Sequence, residues 1–252
     1  MSNAILEGAG PYYYEGNDIG VIIIHGGGGG TCADLKPLAE DLHKEKGYTI
    51  VLPLLPGFGT RPENMEKATI AEWKQALEKE IEELQPKVKK LFLGGHSMGG
   101  VLSLILASKF NFDGIFTISA PIGIKRFVVK LAPFFNLFIK YYPTEWEKFE
   151  KETNGKWVGY KKIPLNIAKK INRLLKELKA ALPKVRTPAL IMQGRHDSEI
   201  KPNSMNYIYQ NINSEVKKKV WLENNDHPIL LCPDHEYMVI QIAEFIESLT
   251  KK

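Results

Sequence analysis

One serine, Ser97, lies among glycines in the stretch LFLGGHSMGG, which covers residues 91–100. Glycine weakens helices and buried strands, so this cluster indicates a local backbone geometry that side chains would obstruct. A serine raised on a tight turn between a strand and a helix has this requirement, and its hydroxyl is then free to react. The pattern G-x-S-x-G makes Ser97 a candidate nucleophile. The alternative is a glycine-rich turn that only packs a helix closely on a sheet.

A serine hydroxyl is a poor nucleophile, so the chemistry requires a base and a carboxylate that orients the base. Of the six histidines, His227 is the one between the last predicted strand and the last predicted helix. Asp197 follows the preceding strand and is the first candidate for the carboxylate, with Glu199 and Asp226 as rivals. The chain order Ser97, Asp197, His227 is the one expected of nucleophile, acid and base on such a sheet.

Acyl transfer also requires hydrogen-bond donors for the oxyanion that forms when the serine attacks. The run HGGGGGT at 25–31 leaves backbone N–H groups unobstructed. A second donor is expected at the N–H of Met98, because it opens the helix after Ser97 and the helix dipole favours negative charge there. Ser97 would attack a carbonyl carbon while His227 takes its proton, and His227 would then activate water to release the acid.

Short aliphatic runs alternate with helical patterns, which is typical of a parallel sheet with helices on both faces. The runs predict strands, at 20–25, 48–53, 90–95, 114–119, 189–194 and 218–223. Apolar residues at three- and four-residue spacing predict helices, at 33–45, 69–84, 98–110, 204–212 and 235–249. The nucleophile, acid and base would therefore meet at the carboxyl edge of the sheet.

The alternation breaks once, between Pro121 and Pro188. This segment contains FVVKLAPFFNLFIKYY, dense in aromatic and aliphatic residues, and the amphipathic stretch PLNIAKKINRLLKELKAAL. We predict a single domain over residues 1–252, in which residues 121–187 form a helical cap inserted after the fourth predicted strand. The cap could accommodate an acyl chain over Ser97, or its apolar residues could simply pack the cap onto the body.

Composition and charge exclude other classes. The chain has 252 residues, 44% of them hydrophobic, which suits one substantial core. The net charge of +5 is spread over scattered lysines without a nucleic-acid-binding motif, so no nucleic-acid partner is predicted. Without a signal peptide or long apolar run, the sequence predicts a cytoplasmic protein with no stable membrane anchor. Its two cysteines make no disulfide framework.

No cofactor and no metal are predicted. Histidines, cysteines and carboxylates do not cluster at ligand spacing, and no glycine-rich turn carries the lysine and hydroxyl residue that a phosphate-binding loop requires. The oligomeric state, monomer or dimer, stays open.

In combination, these motifs resemble the α/β-hydrolases, and within them the bacterial carboxylesterase and monoacylglycerol lipase group. The likeness covers almost the whole chain and rests on PYYYEGNDIGVIIIHG, LPGFGTRPENM, GGHSMGG, GIFTISAP, PALIMQGRHDSEIKPNSMNYIYQNI and the closing helix. The resemblance implies an α/β-hydrolase fold with nucleophile Ser97, acid Asp197 and base His227. It also implies oxyanion donors at Gly27 and Met98.

The resemblance further implies a small-molecule ester substrate, either a short- to medium-chain acyl ester or a monoacylglycerol. Gly26 and Gly28 beside the expected oxyanion donor are candidate substrate-binding residues, together with Phe134 and Phe138 of the predicted cap. A second hydrolase group, the one resembling hormone-sensitive lipase, also carries an H-G-G-G run. That group builds its cap upstream, whereas only 24 residues precede His25 here, so we favour the first group.

The chain departs from the first group in two places. Gly27 stands where a bulkier residue is common in that group, and the smaller glycine would widen the acyl pocket. Asn225 and Asp226 precede His227, where a small residue followed by glycine is usual. Two other functions stay open: a non-catalytic binding protein with a hydrolase fold, and a different reaction on the same scaffold, such as hydrolysis of a carbon–carbon bond or a haloperoxidase-like activity. Labelling by a fluorophosphonate would distinguish an enzyme from the non-catalytic binding protein.

Overall fold

The computed structural model describes residues 4–125 and 140–250, and a twisted sheet flanked by helices lies at its centre. The strands are β1 (Tyr12–Tyr14), β2 (Ile19–Ile24), β3 (Thr49–Leu52), β4 (Lys90–His96), β5 (Gly114–Ile118), β6 (Tyr141–Pro143), β7 (Lys162–Pro164), β8 (Ala189–Gly194) and β9 (Lys217–Leu222). The helices are α1 (Lys36–Lys46), α2 (Pro62–Lys67), α3 (Ile70–Leu84), α4 (Met98–Ala107), α5 (Trp146–Glu152), α6 (Asn166–Ala181), α7 (Ser204–Asn211) and α8 (His235–Thr250). The six predicted strands and five predicted helices are all confirmed.

Within the described residues, seven strands form one sheet in the order β1-β3-β2-β4-β5-β8-β9. All neighbouring pairs are parallel except β1 with β3, which is antiparallel. The aliphatic pattern did not predict β1, because a run of three tyrosines is too short to show a period and its pairing comes from β3. Since the parallel strands all end on one side, the loops after β2, β4, β8 and β9 meet at the carboxyl edge of the sheet.

The core has two layers, one on each face of the sheet. Along β2, Val21 and Ile23 pack in the layer that includes α1 and α8, whereas Ile22 and Ile24 pack in the layer that includes α3, α4 and α6. This alternation is the two-residue period of a strand, and apolar residues fill both sets because helices cover both faces. Such burial on both sides fixes the register of β2 and therefore the position of the loop that follows it.

Local signals set the ends of two flanking helices. Thr69 accepts a hydrogen bond from the N–H of Glu72, and the Glu72 carboxylate accepts one from the N–H of Thr69, so a complete capping box begins α3. Gly47, at φ 69°, ends α1 in the left-handed conformation that glycine adopts most readily. These signals fix where α3 begins and where α1 ends.

The described part of the segment between β5 and β8 contains two helices, α5 and α6, and an antiparallel ribbon of β6 and β7. The prediction of a helical cap was therefore incomplete, because two three-residue strands pair across a long separation that sequence periodicity does not reveal. Phe134 and Phe138 lie outside the described residues. Helix α6 packs on α4, with Leu174 and Leu175 beside Val101. Across residues 4–125 and 140–250, no helix is long and apolar enough to cross a bilayer.

Candidate active site

Ser97 occupies a sharp turn between β4 and α4, with φ 53° and ψ −118°. A non-glycine residue in such a conformation is strained by about 1–3 kcal/mol. The turn persists because its surroundings are closely packed: a Cβ on Gly95 would stand 2.4 Å from the carbonyl carbon of Gly99, and a Cβ on Gly99 would stand 2.0 Å from the carbonyl oxygen of Ile24. The clearance expected of these two glycines is confirmed, since a side chain at either position would push α4 away from the sheet.

The structure brings Ser97, Asp197 and His227 together. The Nδ1 of His227 lies 2.8 Å from Asp197 Oδ2, and its Nε2 lies 3.0 Å from Ser97 Oγ. Because an ionised carboxylate can only accept, Nδ1 carries the proton and Nε2 is left to accept from the serine hydroxyl. The other carboxylate oxygen of Asp197 accepts from the N–H groups of Glu199 and Ile200, at 3.0 and 3.1 Å, which fixes its orientation.

Burial and charge act in opposite directions on this pair. Burial alone would lower the pKa of His227, but the hydrogen bond to Asp197 and the charges of Glu199, Asp197 and Asp226 raise that pKa above its ordinary value. For Asp197, burial would raise the pKa, and the hydrogen bond to His227 with the nearby N–H groups lowers it instead. The carboxylate therefore stays ionised and stabilises a positive charge on the imidazole.

The two rival carboxylates lie on other sides of His227. Glu199 Oε2 is 3.8 Å from His227 Nε2, the nitrogen that faces Ser97, so Glu199 does not orient the ring through Nδ1. Asp226 Oδ1 accepts from Ser198 N at 2.8 Å and from His227 N at 2.7 Å. Asp226 thus links the loop after β8 to the loop after β9, and it holds the acid and the base in register.

His96, which precedes the nucleophile, has a supporting place that the sequence did not reveal. Its Nε2 donates to the carbonyl oxygen of His227 at 2.9 Å, and the two rings lie 4.9 Å apart between centroids. Burial, and then the neighbouring His227, lower the pKa of His96 to about 3, so its ring is neutral. In the sequence His96 is one of six histidines that could serve as the base, and its position next to Ser97 in the serine motif was the signal available for a supporting place.

The glycine loop after β2 lies against the nucleophile turn. A Cβ on Gly26 would be 3.5 Å from Ser97 Cβ, and a Cβ on Gly27 would be 2.8 Å from Met98 Sδ. Gly28 faces open space, with no atom within 4 Å of its Cβ position. Among the described residues, the N–H groups of Gly27 and Met98 donate to no other group.

Ser97, His227 and Gly26 to Gly28 line one cavity of about 460 Å³. Its walls combine apolar side chains with several carboxylates, and the apolar members include Ile124, Ile163, Ile167, Ile171, Ile229 and Leu230. A cavity of this size and mixed lining suits a small organic molecule. In the part of the chain that the structure describes, no three histidine, cysteine or carboxylate side chains form a group that could hold a metal ion.

This sheet, with a serine on the turn after β4 and a histidine and carboxylate at the same edge, defines the class of α/β-hydrolases. The chain belongs to the hydrolase family described as serine aminopeptidase S33, whose profile matches residues 16–234. The resemblance inferred from the motifs is confirmed.

Named relatives fall within the lipases and esterases. A thermostable monoacylglycerol lipase from Bacillus sp. (strain H-257) is 32% identical over 96% of this chain and 95% of its own length. A carboxylesterase from Bacillus subtilis (strain 168) is 28% identical over 95% of this chain and 96% of its own. A structure from work on the metagenome-derived lipolytic enzymes LipS and LipT has a TM-score of 0.87 and 30% identity, covering 97% of this chain and 100% of the other. The chain is an enzyme of this lipase and esterase type.

Proposed function

We propose that the chain is a serine esterase that hydrolyses carboxylic esters, either short- to medium-chain acyl esters or monoacylglycerols, through an acyl-enzyme on Ser97. The observation that carries the proposal is the position of His227, within hydrogen-bond distance of both Ser97 Oγ (3.0 Å) and Asp197 Oδ2 (2.8 Å) in a cavity of about 460 Å³. The two Bacillus relatives, a monoacylglycerol lipase and a carboxylesterase, support it.

In the first step, Ser97 Oγ attacks the ester carbonyl carbon while His227 Nε2 takes the hydroxyl proton. The imidazolium formed in this way is stabilised by Asp197, and it gives its proton to the departing alcohol. In the second step, His227 removes a proton from water as the water oxygen attacks the acyl carbon. The imidazolium then gives this proton to Ser97 Oγ as the bond to the acyl group breaks, which releases the acid and restores Ser97. The N–H groups of Gly27 and Met98 are the proposed donors to the oxyanion in both steps.

A screen of aryl and glyceryl esters of graded acyl length tests the proposal, with a fluorophosphonate probe run in parallel. We expect hydrolysis with a maximum at short to medium chains, and labelling that is lost in Ser97→Ala. Labelling without ester hydrolysis would favour a different reaction on this scaffold, such as carbon–carbon bond hydrolysis. A folded protein that neither reacts with the probe nor hydrolyses any ester would support a binding protein instead.

The small-molecule partner, the absence of a nucleic-acid partner and the cytoplasmic location stay predictions.

The acid limb of the pH–rate profile should move when Glu199 is neutralised. The neutral form of His227 is the active base, so kcat/KM rises with pH through the His227 pKa, which the charge of Glu199 helps to raise. Glu199→Gln removes that charge, lowers the pKa, and should move the acid limb to lower pH by about half a unit to one unit. The measurement is kcat/KM between about pH 5 and 9.

The matched control for this shift is Glu215→Gln. Glu215 is exposed and lies just before β9, at the amino edge of the sheet and therefore far from His227. The control should leave the acid limb where it is in the parent. An acid limb that is identical in Glu199→Gln and the parent would show that Glu199 does not act on the base.

Variants with a side chain at residue 27 should fold, and a bulky side chain there should alter acyl selectivity. Gly27 is not among the glycines with positive φ, so alanine fits its backbone, and the nearest obstacle is the flexible Met98 Sδ. Gly27→Phe should displace the Met98 side chain towards the small apolar cavity beside Ser97. We expect the ratio of kcat/KM for butyryl over decanoyl esters to rise by about fivefold or more, since a lost pocket of a few methylenes is worth 1–3 kcal/mol.

Gly123→Ala is the control for Gly27→Phe, because Gly123 does not line the cavity, its φ is not positive, and the atoms nearest to its Cβ position belong to the flexible Lys201 side chain. It should keep the parent ratio of short to long esters. The idea that Gly27 borders the acyl site fails if Gly27→Phe folds and hydrolyses both esters in the parent ratio.

A further inference from the structure

Two side chains hold the backbone of His227, one on each side of the residue. The N–H of His227 donates to Asp226 Oδ1 at 2.7 Å, and its carbonyl oxygen accepts from His96 Nε2 at 2.9 Å. No other described residue hydrogen-bonds to either group. His227 is buried, so its backbone polar groups need partners within the protein. Asp226 and His96 supply both of them.

The contact with Asp226 leads to the acid. Asp226 Oδ1 also accepts from the N–H and from the Oγ of Ser198, both at 2.8 Å. Ser198 directly follows Asp197 in the chain. One carboxylate oxygen therefore joins the backbone of the base to the backbone beside the acid. Glycine, the usual residue at this position in the group that the motifs resemble, has no side chain with which to make this link.

The contact with His96 leads to the nucleophile. His96 directly precedes Ser97 and is the last residue of β4, a strand in the middle of the sheet. A carbonyl oxygen can only accept, so Nε2 of His96 carries the proton in this hydrogen bond. Both rings are buried, and the base is thereby tied to the end of a strand that is paired on both sides.

The base needs such support because it lies in a long connection, residues 223–234, between β9 and α8. Connecting segments move more than the elements that they join. His227 Nε2 lies 3.0 Å from Ser97 Oγ, and misplacement of a catalytic group by about 1 Å can slow a reaction about a hundredfold. The two contacts fix the backbone from which the imidazole projects.

We propose that Asp226 and His96 are positioning residues, which hold the backbone of His227 where its imidazole can take the proton of Ser97. This inference rests on the proposed esterase function and adds two side chains that act through the base. Their effect falls on proton transfer, so it lowers kcat and leaves KM close to the parent value. The competing explanation is that both contacts only stabilise the fold.

Two substitutions of Asp226 separate geometry from charge. Asp226→Asn keeps Oδ1 as an acceptor and removes the negative charge, whereas Asp226→Ala removes the acceptor as well. The φ of Asp226 is not positive, so alanine fits its backbone. Rates are compared on the alkaline plateau, where His227 is neutral in every variant. We expect kcat to fall by about tenfold or more in Asp226→Ala and by less than about threefold in Asp226→Asn, with KM within about twofold.

Two substitutions of His96 test the other contact. His96→Leu removes the donor at similar volume, whereas His96→Gln keeps an N–H group that can reach the carbonyl oxygen of His227. We expect kcat to fall by about tenfold in His96→Leu and by clearly less in His96→Gln. Equal losses in the two variants would assign the effect to packing of the buried ring. If His96→Leu does not fold, His96→Gln should still keep more than about a third of the parent kcat.

Asp113→Ala and His43→Leu are the matched controls. Asp113 accepts from the N–H of Leu91, and His43 Nδ1 donates to the carbonyl oxygen of Tyr48, both at 2.8 Å. Leu91 and Tyr48 lie at the amino ends of strands, on the edge of the sheet away from the base. Both controls should keep the parent kcat even where thermal stability falls. An Asp226→Ala protein with the parent kcat would overturn the proposal.

A proton NMR measurement separates this inference from the proposed function. The Nδ1 proton between His227 and Asp197 should give a low-field signal in the parent, identified by its loss in Asp197→Asn. Asp226→Ala should broaden or remove this signal, and Asp226→Asn should keep it. This result can be obtained even if no ester is hydrolysed, in which case the proposed function fails and the positioning role stands. If esters are hydrolysed but Asp226→Ala keeps the parent kcat and the parent signal, the positioning role alone is wrong.

Discussion

Replacement of Ser97 by alanine should leave a folded protein whose ester hydrolysis is slower by about three orders of magnitude or more. Without Oγ no acyl-enzyme can form, and the base and oxyanion donors that remain act only on water. The β-carbon and the strained backbone of residue 97 are kept, so the midpoint of thermal unfolding should change by no more than about 2 °C. The measurement is kcat/KM on the best ester from the screen, with unfolding followed by circular dichroism.

Ser108→Ala is the control for Ser97→Ala. Ser108 lies at the other end of α4, where its hydroxyl donates to the carbonyl oxygen of Ile105. It should retain parent activity and parent labelling by a fluorophosphonate. A Ser97→Ala protein that kept most of the activity would mean that another group carries the chemistry.

Asp197→Asn should lower kcat by about three to four orders of magnitude with the fold intact. The amide oxygen can still accept from the N–H groups of Glu199 and Ile200, so the loop should keep its shape. The amide nitrogen, however, would donate to His227 Nδ1 and hold the ring in the tautomer that has its proton on Nε2. That tautomer cannot accept a proton from Ser97.

Glu199→Gln provides the comparison that decides which carboxylate is the acid. Glu199 approaches Nε2 and not Nδ1, so its replacement should alter the pH profile and leave the rate on the alkaline plateau within about threefold of the parent. A larger loss of plateau rate in Glu199→Gln than in Asp197→Asn would assign the orienting role to Glu199.

Much of the site could be predicted because the residues that its turn requires stand together in the sequence. A Cβ on Gly95 would collide with the backbone of Gly99, and a Cβ on Gly99 would collide with the backbone of Ile24 on β2, so both positions need glycine, and the glycines themselves are visible in the sequence. Strand order does not have to be known to place Asp197 and His227, since every parallel strand that precedes a helix ends at the same edge. The motif positions relative to strand ends therefore predicted the contact between residues that are far apart along the chain.

Three short strands depend on partner strands that sequence periodicity does not reveal. Strand β1 is three tyrosines long and exists because β3 offers it an antiparallel edge. Strands β6 and β7 pair with each other across α5, which made the predicted helical cap incomplete. In both cases the hydrogen-bond partner is distant in the chain, and a three-residue run contains too little pattern to indicate a strand.

The sequence by itself determined the six parallel strands of the sheet, the nucleophile turn and the chain order of Ser97, Asp197 and His227, because the hydrophobic pattern and the glycine cluster that indicate them are local in the sequence. Only the tertiary structure decided which nitrogen of His227 each carboxylate approaches, since the distances from Glu199 and Asp197 to the ring depend on how the loops after β8 and β9 pack. Contacts between side chains that are distant in the sequence depend on loop conformation, which no local sequence pattern encodes.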